Sequence, residues 1–228
     1  MDSPVQQFVA ALAELASPSR AFNPWRDVDL RYDCRADASA IRRRHLADYL
    51  DSRLGRASLV LVGEAPGYQG PRFSGVPMCS ERILLGRTAV DPKAVLLTIQ
   101  PERTSRTELA PLGMNEPTAT IACGAFRLAG VSPLDVVIWS SSPFHPYVSD
   151  EDPLTNRTPT QSELRAYGHP CLRAFLDLFP GAAVVAVGRK AEQALGVLGV
   201  SATHVRHPAH GGATAFRSGI QKLTRSKR

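Results

Sequence analysis

An apolar run that breaks into a cluster of glycines constrains this chain more than any other feature. Leu59-Val60-Leu61-Val62 is followed at once by Gly63-Glu64-Ala65-Pro66-Gly67-Tyr68-Gln69-Gly70. Consecutive large aliphatic residues leave no polar face, so the run reads as a strand buried on both sides, as in a parallel sheet. In open α/β sheets the crevice beyond the carboxyl ends of the strands is where ligands bind. The glycines let backbone approach a ligand closely, and Glu64 sets a carboxylate in the mouth of that crevice.

The remaining pattern alternates helices with strands. Val5 to Leu15 carries a helical apolar face, and Asp37 to Leu54 reads as a second helix closed by Gly55, with Arg42, Arg43 and Arg44 largely on its outside. Ala94 to Gln100 is a candidate strand, and Glu116 to Leu128 a helix opened by Pro117. Asp135 to Trp139 is a short buried strand that runs into a Ser-Ser-Ser-Pro loop. Thr160-Gln161-Ser162-Glu163 is a capping box that opens another helix. Ala182 to Val187 and Thr203 to Val205 complete the strands, and a last helix begins near Gly211. The order predicts a three-layer α/β/α sandwich around a central, mostly parallel four-stranded sheet. Polar loops after Val62, Trp139 and Val205 would converge on one cleft. A single domain over residues 1–228 is expected, with a flexible basic tail at 224–228.

Lysine and arginine total 27 against 21 acids, a net charge of +6. The excess is concentrated near the end: Arg206, Arg217, Lys222, Arg225, Lys227 and Arg228 follow Ser201 without an acid among them. A basic end beside a candidate site fits a polyanion such as nucleic acid, and a solvated tail is the plainer alternative. No apolar run nears the ~20 residues of a membrane-spanning helix. The first residues lack the basic head and long apolar centre of a secretory leader. A cytoplasmic, nucleoid-associated monomer without membrane contact is expected. Cys34, Cys79, Cys123 and Cys171 form no C-x-x-C pair, which argues for separate thiols and against a metal or iron–sulfur cofactor. His204, His207 and His210 recur every third residue, but Pro208 breaks the helix that would align them as ligands.

Gly63-Glu64-Ala65-Pro66-Gly67, taken with His207-Pro208 far downstream, resembles the uracil-DNA glycosylase superfamily. Its members carry a G-E-A-P-G or G-Q-D-P-Y motif after the first core strand and a His-Pro-Ser-like motif after the last. The likeness runs from about residue 58 to 220. The longer stretch to Phe73-Ser74-Gly75-Val76-Pro77 is similar to the iron–sulfur and single-strand-selective branches. The clustered cysteines of the former are missing, which places the chain near a bacterial branch without that cluster.

The resemblance implies a monofunctional DNA glycosylase of base excision repair. Such an enzyme flips a uracil or related deaminated base out of DNA and hydrolyses its N-glycosidic bond. His207 is implied as donor to the carbonyl oxygen of the departing base. Glu64 and Gln69 together are assigned to the water, because the position where relatives carry an aspartate is Ala65. Ala65, Gly67 and Tyr68 are expected around the base, and Gly67 stands where strict uracil enzymes hold a tyrosine against the thymine methyl. Relatives stack the base on a phenylalanine whose place falls on Met78, with Phe73 as the alternative. They read its edge with an asparagine where this chain has Ser140, with Asn156 or His145 as substitutes. Arg206, Pro208, His210, Gly211, Gly212 and Arg217 are expected on the DNA backbone. The competing readings are a DNA-binding or damage-recognition protein of the same fold with weakened catalysis, and a small-molecule enzyme using the same cleft.

Overall fold

Strict alternation within the strands sorts their side chains into two cores. The computed structural model describes residues 2–225. In chain order it holds α1 (Pro4–Glu14), β1 (Ala21–Phe22), α2 (Ala38–Asp51), β2 (Leu59–Gly63), α3 (Pro71–Ser74), α4 (Glu81–Leu84), α5 (Pro117–Leu128), β3 (Val136–Ser140), β4 (His145–Pro146), α6 (Gln161–Glu163), α7 (His169–Asp177), β5 (Ala183–Val187), α8 (Arg189–Val197), β6 (Thr203–Val205) and α9 (Ala213–Arg225). The main sheet is four-stranded and parallel, in the order β3-β2-β5-β6. Val60, Val62, Val137 and Trp139 point to one face, where α1, α2, α7 and α8 cover them. Leu59, Leu61, Ile138 and Val185 point to the other, against α5 and α9. This is the expected three-layer α/β/α arrangement.

On the first face Trp139 is sandwiched between Trp25 and Phe175, with ring centroids 5.4 and 4.9 Å apart. Burying side chains of this size contributes about 1.5–3 kcal/mol each. The stack anchors β3 one residue before the polar loop that follows Ser140. The antiparallel pair β1–β4 then fixes the chain beyond that loop. The helix opened by the Thr160 capping box runs through a π-helical stretch, Leu164–Gly168, before α7. That stretch lies against the loop after β3, and a Cβ on Gly168 would stand 2.5 Å from the Ser141 carbonyl oxygen.

Three local expectations are corrected. Ala94 to Gln100 is no strand: a 3₁₀ turn at Pro92–Ala94 leads into irregular backbone. Side chains of α2 and its C-terminal turn take its polar groups instead. Arg53 donates to the Ala94 and Val95 carbonyls, and the Asp48 carboxylate accepts from the Leu97 and Thr98 N–H groups. Arg42 is not outside but fully buried, donating to Asp33 at 2.8 Å and to the Pro24 and Asp27 carbonyls. Thr224 and Arg225, placed in the flexible tail by sequence, belong to α9. The rest of that tail, 226–228, lies outside the described residues.

Candidate active site

The loops leaving β2, β3 and β6 line one open cleft of about 790 Å³ at the carboxyl edge of the sheet. That is the size of a small-molecule pocket. The first two loops are tied together beyond the strands. The Ser141 N–H and hydroxyl both donate to the Gly63 carbonyl at 2.9 Å, and the Ser142 N–H donates to the Glu64 carbonyl at 3.0 Å. The Gly67–Gly70 turn is pinned from another segment, because the Tyr68 N–H donates to Asn156 Oδ1 at 3.1 Å.

His207 enters from the third loop. Its Nδ1 accepts a hydrogen bond from the Ala209 N–H at 3.1 Å. That acceptor role requires a bare Nδ1, so the ring proton of the neutral imidazole sits on Nε2, free to donate. Burial, aided by Arg206 and His210, pushes the imidazole pKa below its ordinary value, while Glu64 opposes the shift. Glycine neighbours make the turn possible. A Cβ on Gly212 would lie 2.0 Å from the His207 carbonyl oxygen, and one on Gly188 would lie 3.2 Å from the His207 Cβ.

Met78 projects into the same cleft from a left-handed backbone, φ 51°. A bulky residue in that region is strained, and such strain collects at functional sites. Glu116, at the start of α5, forms part of the wall beside Thr118 and Ile121. One Glu116 oxygen is buried with no hydrogen-bond partner. Burial pushes its carboxyl pKa up to about 7.

A family model described as the uracil DNA glycosylase superfamily matches residues 52–220. The chain belongs to that superfamily. The match extends from the turn before β2 into α9, so both the Gly63 loop and the His207 loop fall inside it. A comparison with curated proteins finds no match.

Of the residues singled out by sequence, Glu64, Ala65, Gly67, Gln69, Met78, Ser140, His207, Pro208, His210 and Gly211 border the cleft. Others do not. Phe73, on α3, is fully buried, its ring 4.8 Å from the Arg72 guanidinium carbon, and so is not available to stack on a base. Tyr68 turns its ring toward His145, centroids 6.5 Å apart. His145 is itself buried, with its Nε2 2.7 Å from the Thr155 carbonyl oxygen, and burial drives its pKa down to about 3. It holds the segment that carries Asn156 rather than facing the cleft. Arg206 is exposed and Arg217 half-buried on α9; neither borders the cleft, nor does the buried Gly212. Sequence reasoning missed Glu116, Thr118, Arg157 and Thr158 as cleft residues. Nothing near Glu116 marked it out, since an acid just before a helix is ordinary capping chemistry.

Proposed function

We propose that this protein is a monofunctional DNA glycosylase that removes uracil or a related deaminated base from DNA. The reaction breaks the bond between C1′ and the base nitrogen, and its electron pair departs with the base. His207 Nε2–H donates to the base carbonyl oxygen where that negative charge develops. Such a fixed donor is worth ~2.7–4 kcal/mol of transition-state stabilisation. Water adds to the cationic C1′, and its proton passes to Glu64, with Gln69 holding the water from the same loop. A dissociative transition state of this kind needs only a weakly activated nucleophile. Met78 packs on the face of the base, and Gly67 leaves room beyond its 5-position. His210 and Gly211 meet the DNA backbone at the cleft mouth, and Arg206 and Arg217 meet it outside the cleft.

The observation that carries this reading is the His207 tautomer, set by the Ala209 N–H and placed in one cleft with the Gly63–Gly70 loop. The absence of a lysine from either motif favours hydrolysis over a Schiff-base lyase route. The test is base release from oligonucleotides carrying uracil, hypoxanthine or xanthine. Wild type is expected to release at least one of them. His207→Ala is expected to slow release by ~10²–10³-fold while DNA binding survives. Tight, salt-sensitive DNA binding with no release on any substrate would favour the second reading, a damage-recognition protein. Ser140 in place of an amide, and Met78 without an aromatic face, are what recommend that alternative.

A further inference from the structure

Ser140 is too short to present the paired donor and acceptor of an amide, so base recognition in this cleft needs another polar group. We propose that Thr118 and Glu116 form that group: the Thr118 hydroxyl donates to a carbonyl of the extruded base, and Glu116 positions that hydroxyl from behind. The proposal deepens the glycosylase reading and rests on it for the identity of the ligand as a keto base.

Glu116 is not used as a helix cap. It occupies the N-cap position of α5, yet its side chain takes no N–H of the first turn. Its carboxyl turns toward the first-motif loop instead. A Cβ on Gly70 would lie 2.1 Å from Glu116 Oε2, so the carboxyl fills the place of a side chain there. The slot that Gly67 leaves open is bounded by Asn156 Oδ1 at 3.7 Å and Glu116 Oε1 at 3.9 Å from where its Cβ would be. Glu116 Oε1 is 2.9 Å from the Thr118 hydroxyl, and Thr118 borders the cleft. Glu116 Oε2 is buried and has no partner. Among the described residues no cation is paired with it. A charged carboxylate in that position would be poorly compensated, which favours the neutral acid.

Protonation decides which way the pair points. An ionised Glu116 can only accept, so it captures the Thr118 O–H and leaves bare lone pairs facing the cleft. A neutral Glu116 donates its own proton to Thr118 Oγ1. The Thr118 O–H is then free to donate to a base carbonyl. Keto bases such as uracil are therefore held when Glu116 is protonated and released from this contact when it ionises, about pH 7. Cys79, in the loop before α4, and Cys123, about two turns along α5, lie near Glu116, and burial raises both thiols, Cys123 to about 11. Glu64, His207, His210 and Arg157 border the other sides of the cleft. The His207 shift is downward, so its titration falls on the acid side and stays apart from this limb.

The test pairs two measurements on wild type, Glu116→Gln and Thr118→Val, at about pH 6 and about pH 8.5. One is single-turnover uracil release from DNA; the other is calorimetric binding of free uracil. Wild type is expected to lose ~10-fold or more in both between the two conditions. Glu116→Gln, whose amide N–H₂ donates to Thr118 at any pH, is expected to match wild type at the lower pH and to show no loss at the higher. Thr118→Val is expected to be ~10-fold weaker than wild type at the lower pH and level with it at the higher, so that its own profile is flat. A purely structural Glu116 would leave the alkaline loss intact in the glutamine variant. Uracil release with unchanged pH profiles in both variants overturns the pair while leaving the glycosylase assignment standing. The predicted binding pattern without release from any strand overturns the glycosylase assignment and leaves the pair standing. Absence of both release and free-uracil binding overturns both.

Discussion

Gly70→Ala tests the close approach between the first-motif loop and α5. The added Cβ would stand 2.1 Å from Glu116 Oε2 and 2.7 Å from its Cδ. Non-bonded carbon contacts settle near 3.5–4.0 Å, so something must move by about an ångström. The carboxyl is held by the Thr118 hydroxyl on one side and the Gly67–Gly70 turn on the other, so relief is not free. Overpacking of this kind costs ~1–3 kcal/mol. Glu116→Ala alone should cost less than most buried truncations, because it removes a desolvated carboxyl with a single hydrogen bond along with its packing. In the double variant the clash has no second party. The expected coupling is therefore ~1–2 kcal/mol in favour of the double variant over the sum of the singles. Any backbone cost of alanine at position 70 enters both arms and cancels. Urea unfolding of the four proteins at neutral pH, compared through midpoints at constant slope, gives the number. Additivity within ~0.5 kcal/mol would refute the idea that Gly70 is glycine because Glu116 fills its side-chain space.

The acid limb of uracil release should lie below the ordinary histidine range, because burial disfavours the His207 imidazolium, whose formation would also break the Nδ1 bond to the Ala209 N–H; a limb at or above that range in a pH–rate profile contradicts this reading. His207→Ala should lower single-turnover release by ~10²–10³-fold. Ser140→Asn should raise uracil release, and no gain in an already active protein would count against Ser140 at the base edge. Arg157→Met should destabilise the fold by ~2–4 kcal/mol at neutral pH, since Arg157 donates to the Arg20, Tyr147 and Thr158 carbonyls and pairs with Glu163. Its hydrogen bond, chiefly, holds Glu163 down to about 2. That part of the stability is present above the unfolded carboxylate range and vanishes as pH falls through about 2. The gap between variant and wild type in chemical unfolding should shrink over the same span.

The parallel sheet could be read from sequence because its strands obey a local rule. β2 and β3 are continuous apolar runs, and each stops at a small residue where the chain must leave the sheet. The failures share a different cause: long polar side chains that fold inward. Ala94 to Gln100 has the apolar, partly β-branched look of a strand, but Arg53 and Asp48 satisfy its backbone and remove the reason to join a ladder. Arg42 sits in phase with His45, Leu46 and Tyr49 on the buried face of α2, which its spacing permits, but its charge masks. A buried guanidinium is tolerated there only because Asp33 and two carbonyls meet it, and all three come from the segment before the helix.

The same distinction explains which part of the cleft was legible. His207 and Glu64 lie in short motifs, where a histidine beside proline or an acid among glycines is already unusual. Glu116 and Thr118 look like any helix start, and their chemistry exists only because Gly70 lies far away in sequence with no side chain of its own. The apparent erosion at Ser140 and Met78 therefore cannot be weighed alone. A shortened hydroxyl at Ser140 matters little if a second hydroxyl in the same cleft, that of Thr118, is aimed by a neutral acid. It matters a great deal if Glu116 is charged under working conditions. The glycosylase and damage-recognition readings thus meet at one titratable group. A protein that cleaves below neutrality and merely binds above it would be both, with the Glu116 proton as the difference.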